Sequence, residues 1–363
     1  MKKGIALILV LVVIFGLLVG CSENREKSTT SSNLNTTQDN TTNDTIPATR
    51  IITDMAGIEV EIPSKVDAYV DSWAAHATFD LLLDRYEHMI ATAVPRNSKD
   101  SWVYRIAPNL EKVESIEFSE NMNLEEIIAL HPDVVFGKAE NYREMFKDVG
   151  IPYVNVGFYS YETMVQSIHL VAEILGEDAM ARADKYVGYL YNRIDWVTEH
   201  LLPLKEEDKL SIAHGHPLYE LRIDGDNTII DEWINYSGST NSAKNVEGET
   251  VIVSLEELLR WDPDVIISGD GWDDVNSVME DPAWASLTAV KNGTVYVNPK
   301  GIFMWDRYGI EEALQIQWCA STLYPDLFEG FDIREEVKYF YREFLDYELS
   351  DDEVEKFMNH ENP

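Results

Sequence analysis

One pattern occurs twice at a constant offset of 131 residues, and it constrains the fold more than any other feature of the chain. Residues 123–137 read Asn-Leu-Glu-Glu-Ile-Ile-Ala-Leu-His-Pro-Asp-Val-Val-Phe-Gly, and residues 254–268 read Ser-Leu-Glu-Glu-Leu-Leu-Arg-Trp-Asp-Pro-Asp-Val-Ile-Ile-Ser. Each copy reads as a short helix, a Pro-Asp turn and a buried strand. Asn123 and Ser254 are suited to N-caps. Glu126 and Glu257 stand at the third helical position, where a capping box places its acid. Pro132 and Pro263 stop the helices. The runs Val134–Phe136 and Val265–Ile267 have the continuous apolar character of parallel strands covered on both faces. The same unit in two halves predicts an α/β protein of two similar Rossmann-like lobes.

Arg50 to Pro63, alternating around Asp54-Met55-Ala56-Gly57, reads as a β-hairpin. Short strands are expected at Ala68–Val70, Ile90–Ala93, Tyr153–Val156, Leu210–Ala213 and Val295–Val297, with helical patterns between them. Thr163 to Leu175 is amphipathic and ends at Gly176. Asp178 to Leu201 reads as one long helix stopped by Pro203, about 36 Å at 1.5 Å per residue, enough to join two lobes. A single rigid connector predicts a hinge of small amplitude. The expected organisation is a signal peptide at 1–20, a tether at 21–49, a first lobe at 50–160, linking helices at 161–203, a second lobe at 204–330 and a helical C-terminal extension at 331–363. That extension is expected to pack on the second lobe and to do no chemistry.

The N-terminus sets the compartment. Lys2 and Lys3 precede an apolar run from Ile5 to Val19, followed by Gly20-Cys21-Ser22. A basic start, a short apolar core and small residues before a cut site make a secretory signal, and the run is short for a membrane span. Leu18-Val19-Gly20-Cys21 resembles the lipobox of exported lipoproteins, which makes Cys21 the lipidated residue. A retained anchor helix is the alternative, and either reading leaves the rest of the chain on the outer face of the cell membrane. Residues 22–49, rich in Ser, Thr, Asn and Asp, cannot bury a core and read as a flexible leash. The sequence holds 29 basic against 65 acidic residues, a net charge of −36. This argues against nucleic acid, whose phosphates need a basic face. Two cysteines exclude a disulfide scaffold and any Cys-rich metal centre, and Cys319, in an apolar helical stretch, is expected in the core.

Together the lipoprotein signal, the leash, the hairpin Thr53-Asp54-Met55-Ala56-Gly57 through Ile62-Pro63 and the paired Leu-Glu-Glu/Pro-Asp-Val repeats resemble the solute-binding lipoproteins of ABC importers for iron complexes and cobalamin. The resemblance covers about residues 50–330. It implies a class III periplasmic-binding-protein-like fold, with two lobes joined by one long helix and the ligand between them. It implies no enzymatic activity and no cofactor. The expected cargo is an iron or cobalt complex, meaning a ferric siderophore or related chelate, or a corrinoid. The expected partners are an ABC permease with its ATPase subunits and the membrane through the lipid anchor, around a monomeric receptor. One glutamate on each lobe docks on the permease in that family, and the matching positions are Glu125 and Glu256. As first-turn acids they also complement the helix dipole.

In α/β domains ligands sit beyond the carboxyl ends of the strands, and aromatic residues concentrate there. The loops nominate Trp73 and His76; Trp102, Tyr104 and Arg105; Lys138 and Tyr142; and Tyr159 in the first half. In the second half they nominate His214, His216 and Tyr219; Trp272; and Trp305 with Arg307, where the family often presents a Trp and an Arg to the ligand. His214 and His216, two apart, face one way on an extended segment. With His76 they form a candidate metal set, which needs all three to converge, and such a site resembles nickel–histidine receptors of the same family. No Gly-x-Ser-x-Gly elbow, phosphate loop or His-Glu-x-x-His helix occurs. The best enzymatic alternative is a metal-dependent extracellular hydrolase using His76, His214, His216 and Asp224 or Asp226. A surface adhesin with no small ligand is a third class.

Overall fold

The computed structural model describes residues 48–96, 101–119 and 122–363. The signal peptide, Cys21 and most of the tether lie outside the described residues. Among those that are described, no helix is long and apolar enough to cross a membrane.

The chain opens with the antiparallel pair β1 (Thr49–Thr53) and β2 (Glu59–Pro63). Asp54 makes the turn, its Oδ1 accepting from the amides of Ala56 and Ile58, while Gly57 takes φ +75°, a conformation that favours glycine. The same Asp54 accepts from Arg143 at 2.5 Å and from the Asn155 amide, which docks the hairpin on the first lobe.

That lobe is a parallel sheet of β3 (Tyr69–Asp71), β4 (Met89–Thr92), β5 (Glu114–Ser115), β6 (Val134–Gly137) and β7 (Tyr153–Asn155), in the order β5-β4-β3-β6-β7. Helices α1 (Ala77–Leu82), α2 (Trp102–Ile106), α3 (Leu124–Leu130) and α4 (Asn141–Asp148) connect the strands. The chain runs outward from β3 in one direction and then restarts at β6 in the other. The carboxyl ends of β3 and β6 are therefore a topological switch point, where such sheets leave a crevice.

Two linking helices follow, α5 (Tyr161–Leu175) and α6 (Glu177–His200). Ser160 and Thr163 form a reciprocal cap at the start of α5. The second lobe contains β8 (Ser211–Gly215), β9 (Arg222–Ile223), α7 (Ile229–Tyr236), β10 (Thr240–Asn241), β11 (Val251–Ile252), α8 (Leu255–Trp261), β12 (Val265–Ser268), α9 (Trp272–Glu280), α10 (Thr288–Asn292) and β13 (Val295–Val297). Its sheet runs β11-β9-β8-β12-β13, with β10 also on β8. Unlike the first, it is mixed, because β9 is antiparallel to both β8 and β11. Three helices complete the chain, α11 (Glu312–Leu323), α12 (Ile333–Leu345) and α13 (Asp351–Met358).

The repeated unit is α3–β6 and α8–β12. Both helices end on a left-handed residue before the proline, His131 at φ +54° and Asp262 at φ +43°. Their starts differ. Ser254 and Glu257 form the full capping box, whereas the Asn123 side chain caps nothing, against the sequence expectation.

One apolar core runs from the hairpin (Ile52, Ile62) through α5 and α6 into β8 and β12 (Ile212, Val265, Ile267) and on to Phe357 of α13. Separate clusters fill the outer faces of the two sheets. On α6, Tyr186 donates to the Ile310 carbonyl at 2.8 Å, and Arg182 donates to the carbonyls of Leu82 on α1 and Phe344 on α12. A core shared by both lobes resists large relative rotation, because close-packed interiors do not deform continuously.

Candidate ligand cleft

β3 delivers Asp71 to the switch point, and the following turn places Trp73 and His76 above it. Asp71 is fully buried. One of its carboxylate oxygens accepts from the Trp73 amide at 2.8 Å, and the other meets His76 Nδ1 at 2.6 Å. Asp80, one turn into α1, completes a group whose ligand-type atoms all lie within 4.8 Å of one another. Burial raises the Asp71 carboxyl to about 7 and lowers His76 to about 4, and it also raises Asp80 well above the ordinary carboxylate range. The outward product of this cluster is the position of Trp73, whose indole stacks on the His76 ring.

Linkage gives this cluster a measurable sign. Burial raises the Asp80 carboxyl in the folded protein, so the stability it contributes is complete below its unfolded value of about 3.8 and falls as pH rises. Asp80→Asn preserves the shape and removes the titration. The stability of the variant relative to the parent should rise by up to about 1.4 kcal/mol per pH unit between pH 5 and 7, read from urea midpoints. A constant difference across that range would mean Asp80 is ionised in the folded protein.

The second lobe has its own buried network. His214, near the end of β8, is fully buried with both ring nitrogens engaged: Nδ1 lies 2.7 Å from Asp224 and Nε2 lies 2.8 Å from Asp306. Burial alone would lower its pKa, but the two carboxylates beside it overcome this and raise it. Arg307 Nη2 reaches Asp224 at 3.0 Å and its Nε lies 3.5 Å from Asp306. Two cations and two anions alternate, and together they seat Arg307. Trp305 is also sealed, donating to the buried carboxyl of Glu311, which accepts as well from the Ile302 and Phe303 amides and from Tyr341. The 301–311 loop is therefore built from inside.

Between the lobes, Lys138 from the end of β6 reaches Glu249 of the second lobe at 3.5 Å. Its ammonium lies 5.1, 4.6 and 4.3 Å from the ring centres of Trp73, Tyr159 and Tyr308, within cation–π range. Tyr308 holds φ +56°, which for a bulky residue is strained and is the kind of outlier that gathers at ligand clamps. Ile310 donates across the boundary to Thr78 Oγ1 at 3.2 Å. On the same boundary lies a cavity of about 590 Å³, lined in the first lobe by Ala74, Ala77, Thr78, Val94, Pro95, Ser101 and Val103, and opposite by Lys300, Ile302, Phe303, Met304 and Asn362. Its volume is in the usual range for small-ligand sites.

Of the nominated residues, Trp73, Lys138, Tyr159 and Arg307 meet at this boundary, and the partly exposed His216 stands at the carboxyl end of β8, 3.7 Å from Asp270. Others are elsewhere. His76 and His214 are sealed within separate lobes, so the candidate set His76–His214–His216 is not assembled, nor is the hydrolase set built on it. Trp305 is a core residue. Trp102 and Arg105 serve the C-terminal segment, through Glu361 and Glu353. Tyr104 is buried under the Val94 carbonyl. Tyr142 belongs to the outer core with Phe146 and Tyr153. Tyr219 stacks on Trp284, and Trp272 is exposed at the start of α9. Sequence reasoning missed Glu249, Thr78, Tyr308 and Asn362. Only Tyr308 carried a signal, as an aromatic next to Arg307.

The periplasmic binding protein family model matches residues 74–301. The molybdate-binding protein MolA of Haemophilus influenzae is 26% identical over 324 residues, 82% of this chain and 91% of that protein. The Fe(3+)-citrate-binding protein YfmC of Bacillus subtilis is 24% identical over 185 residues, 48% of this chain and 56% of that one. A periplasmic solute binding protein from Veillonella parvula has a solved structure that superposes with a TM-score of 0.73 at 27% identity, covering 86% of this chain and 97% of its own. With two α/β lobes, a helical connector and a cavity at the strand ends, the chain belongs to the periplasmic binding protein family.

Proposed function

We propose that this chain is the extracytoplasmic cargo receptor of an ABC importer, a binder with no catalytic role, and that it holds a compact metal complex between its lobes. The cavity at the lobe boundary carries this reading. Among the described residues its wall is mainly apolar, with one cation, Lys300, and the polar groups of Ser101, Thr78 and Asn362; Lys138 and Arg307 stand at the same boundary. That pattern suits a small complex presenting anionic oxygens, as a ferric carboxylate chelate or a metal oxyanion does. The ligands named for the two relatives, molybdate and Fe(3+)-citrate, fall in that class. A corrinoid is far larger than the drug-sized ligands such cavities enclose and fits less well. Glu125 and Glu256 are the permease contacts, and Cys21 is the lipid anchor of a monomeric receptor on the outer membrane face.

The test is titration of the purified protein with ferric citrate, molybdate, hydroxamate and catecholate ferric chelates, nickel–histidine, haem, cobalamin and bare metal ions, following tryptophan fluorescence. Saturable quenching by one intact anionic complex is the expected result, since Trp73 lies at the boundary. Response to bare metal ions alone would overturn it.

A further inference from the structure

The geometry points to a second attachment between the lobes: the C-terminal segment Asp351–Asn362 is a strap that ties the first lobe to the second and forms one wall of the cargo cavity. The wall role rests on the cargo reading above, but the strap role does not. Toward the first lobe, Trp102 Nε1 donates to the Glu361 carbonyl at 2.7 Å, and the Trp102 indole meets the Phe357 ring edge to face at 4.5 Å. Arg105 pairs with Glu353 at 2.7 Å. Toward the second lobe, the Lys300 amide donates to the Phe357 carbonyl at 3.0 Å, and His360 Nδ1 lies 2.8 Å from the Asn298 carbonyl. Phe357 also packs on Tyr341 of α12. Trp102 and Phe357 are 1% and 0% exposed, so this junction is dry. Asn362 then reaches the cavity.

A hinge needs its lobes joined on one side and free on the other. α6 supplies the first connection, and the strap supplies another that is independent of it. Opening the cleft therefore requires the Trp102–Phe357 and Arg105–Glu353 contacts to part. Because Lys300 is both a cavity residue and a strap partner, the position of the strap sets how far Lys300 and Asn362 stand from Ser101 and Val103, and so which cargo sizes are admitted.

The test uses nitroxide labels at the exposed positions Glu144→Cys and Asp273→Cys, on a Cys21→Ser background, with electron–electron distances measured without cargo. The strap is released by Trp102→Phe with Arg105→Ala, while Arg105→Ala alone keeps the buried ring junction and loosens the strap only in part. Hydrogen exchange of residues 351–362 confirms release when it quickens by at least roughly tenfold. The expected result is a narrow distance distribution in the parent and an added longer population in the released variant, with α6 exchange unchanged. An unchanged distribution with the strap released would overturn the proposal. With ferric citrate or molybdate as probe, Asn362→Ala should change affinity; if neither binds the parent protein, the cargo reading fails while the distance result still stands.

Discussion

Replacing Glu125 and Glu256 together with alanine is expected to reduce cargo uptake to background in cells carrying the cognate importer, while the purified protein keeps its cargo affinity. Both residues are exposed at the second position of helices that precede equivalent strands, α3 before β6 and α8 before β12. Neither makes an ion pair among the described residues, so each side chain is available to a partner. An exposed pair is worth at most about 1 kcal/mol, but truncating one partner of a charge pair desolvated at an interface costs about 2–5 kcal/mol. Two such losses imply a fall of roughly hundredfold or more in productive docking, at tenfold per 1.4 kcal/mol. Folding stability should move by no more than about 0.5 kcal/mol, as for other surface changes. The neighbouring acids serve as controls of unequal kind. Glu257 is occupied by the Ser254 capping box, so Glu257→Ala should cost about 1 kcal/mol of stability with docking retained. Glu126 has no such duty. Weakened cargo affinity in the double variant would place Glu125 or Glu256 in the cleft, and unimpaired uptake would remove them from the permease surface.

The features legible in the sequence were those that repeat locally. Continuous apolar runs marked β6 and β12, Gly176 and Pro203 bracketed α6 to within a few residues, and the duplication gave two lobes. Strand ends drew attention to Trp73, Lys138 and Arg307, which the fold gathers near the lobe boundary, and to His216, which it leaves partly exposed. What the sequence hides is which way a strand-end side chain turns. His214 and His216 have the same spacing and type, yet one is sealed and the other is not. The difference comes from Asp224 and Asp306, 10 and 92 residues from His214, and no local pattern reports a partner at that distance. His76 also turns inward, toward Asp71 and Asp80, which are close in sequence but show no spacing that marks them as its partners. Trp305 had the position of a ligand-facing residue but found Glu311 behind it. The C-terminal extension was expected on the second lobe, and its contacts with the first were not foreseen. Its contacts with Trp102 and Arg105 lie 259 and 248 residues away in sequence, beyond anything that periodicity can register. Glu249 was invisible because it lies in a loop with no motif, and it matters only through Lys138 of the opposite lobe.

Asp306→Asn should be the most destabilising conservative substitution at the site, by about 3–5 kcal/mol near neutral pH, the cost of breaking a buried pair from one side. Asp306 is fully buried. Burial by itself would raise its carboxyl, yet Arg307 and His214 hold it well below the ordinary range. Asparagine keeps the volume but leaves two cations, His214 and Arg307, on Asp224 alone. The pH profile identifies the cause. The depressed carboxyls of Asp306 and Asp224 contribute stability above their unfolded pKa, about 3.8, and lose it as pH falls through their lower folded values. The raised imidazolium of His214 contributes fully below its unfolded pKa, about 6.5, and loses that contribution as pH rises through its folded value. The parent network is therefore strongest between about pH 4 and 6.5, and the deficit of the variant should be largest there and shrink in stronger acid. Urea unfolding at pH 3 and at pH 6 measures both. An equal deficit at the two pH values would mean that lost packing, not lost charge, is responsible. No deficit at pH 6 would mean that the four charges merely offset their own desolvation. Only in the first of these three cases, a deficit concentrated near pH 6, is Arg307 held at the lobe boundary by charge, and then the same variant should also bind cargo more weakly at pH 6 without a change at Lys138.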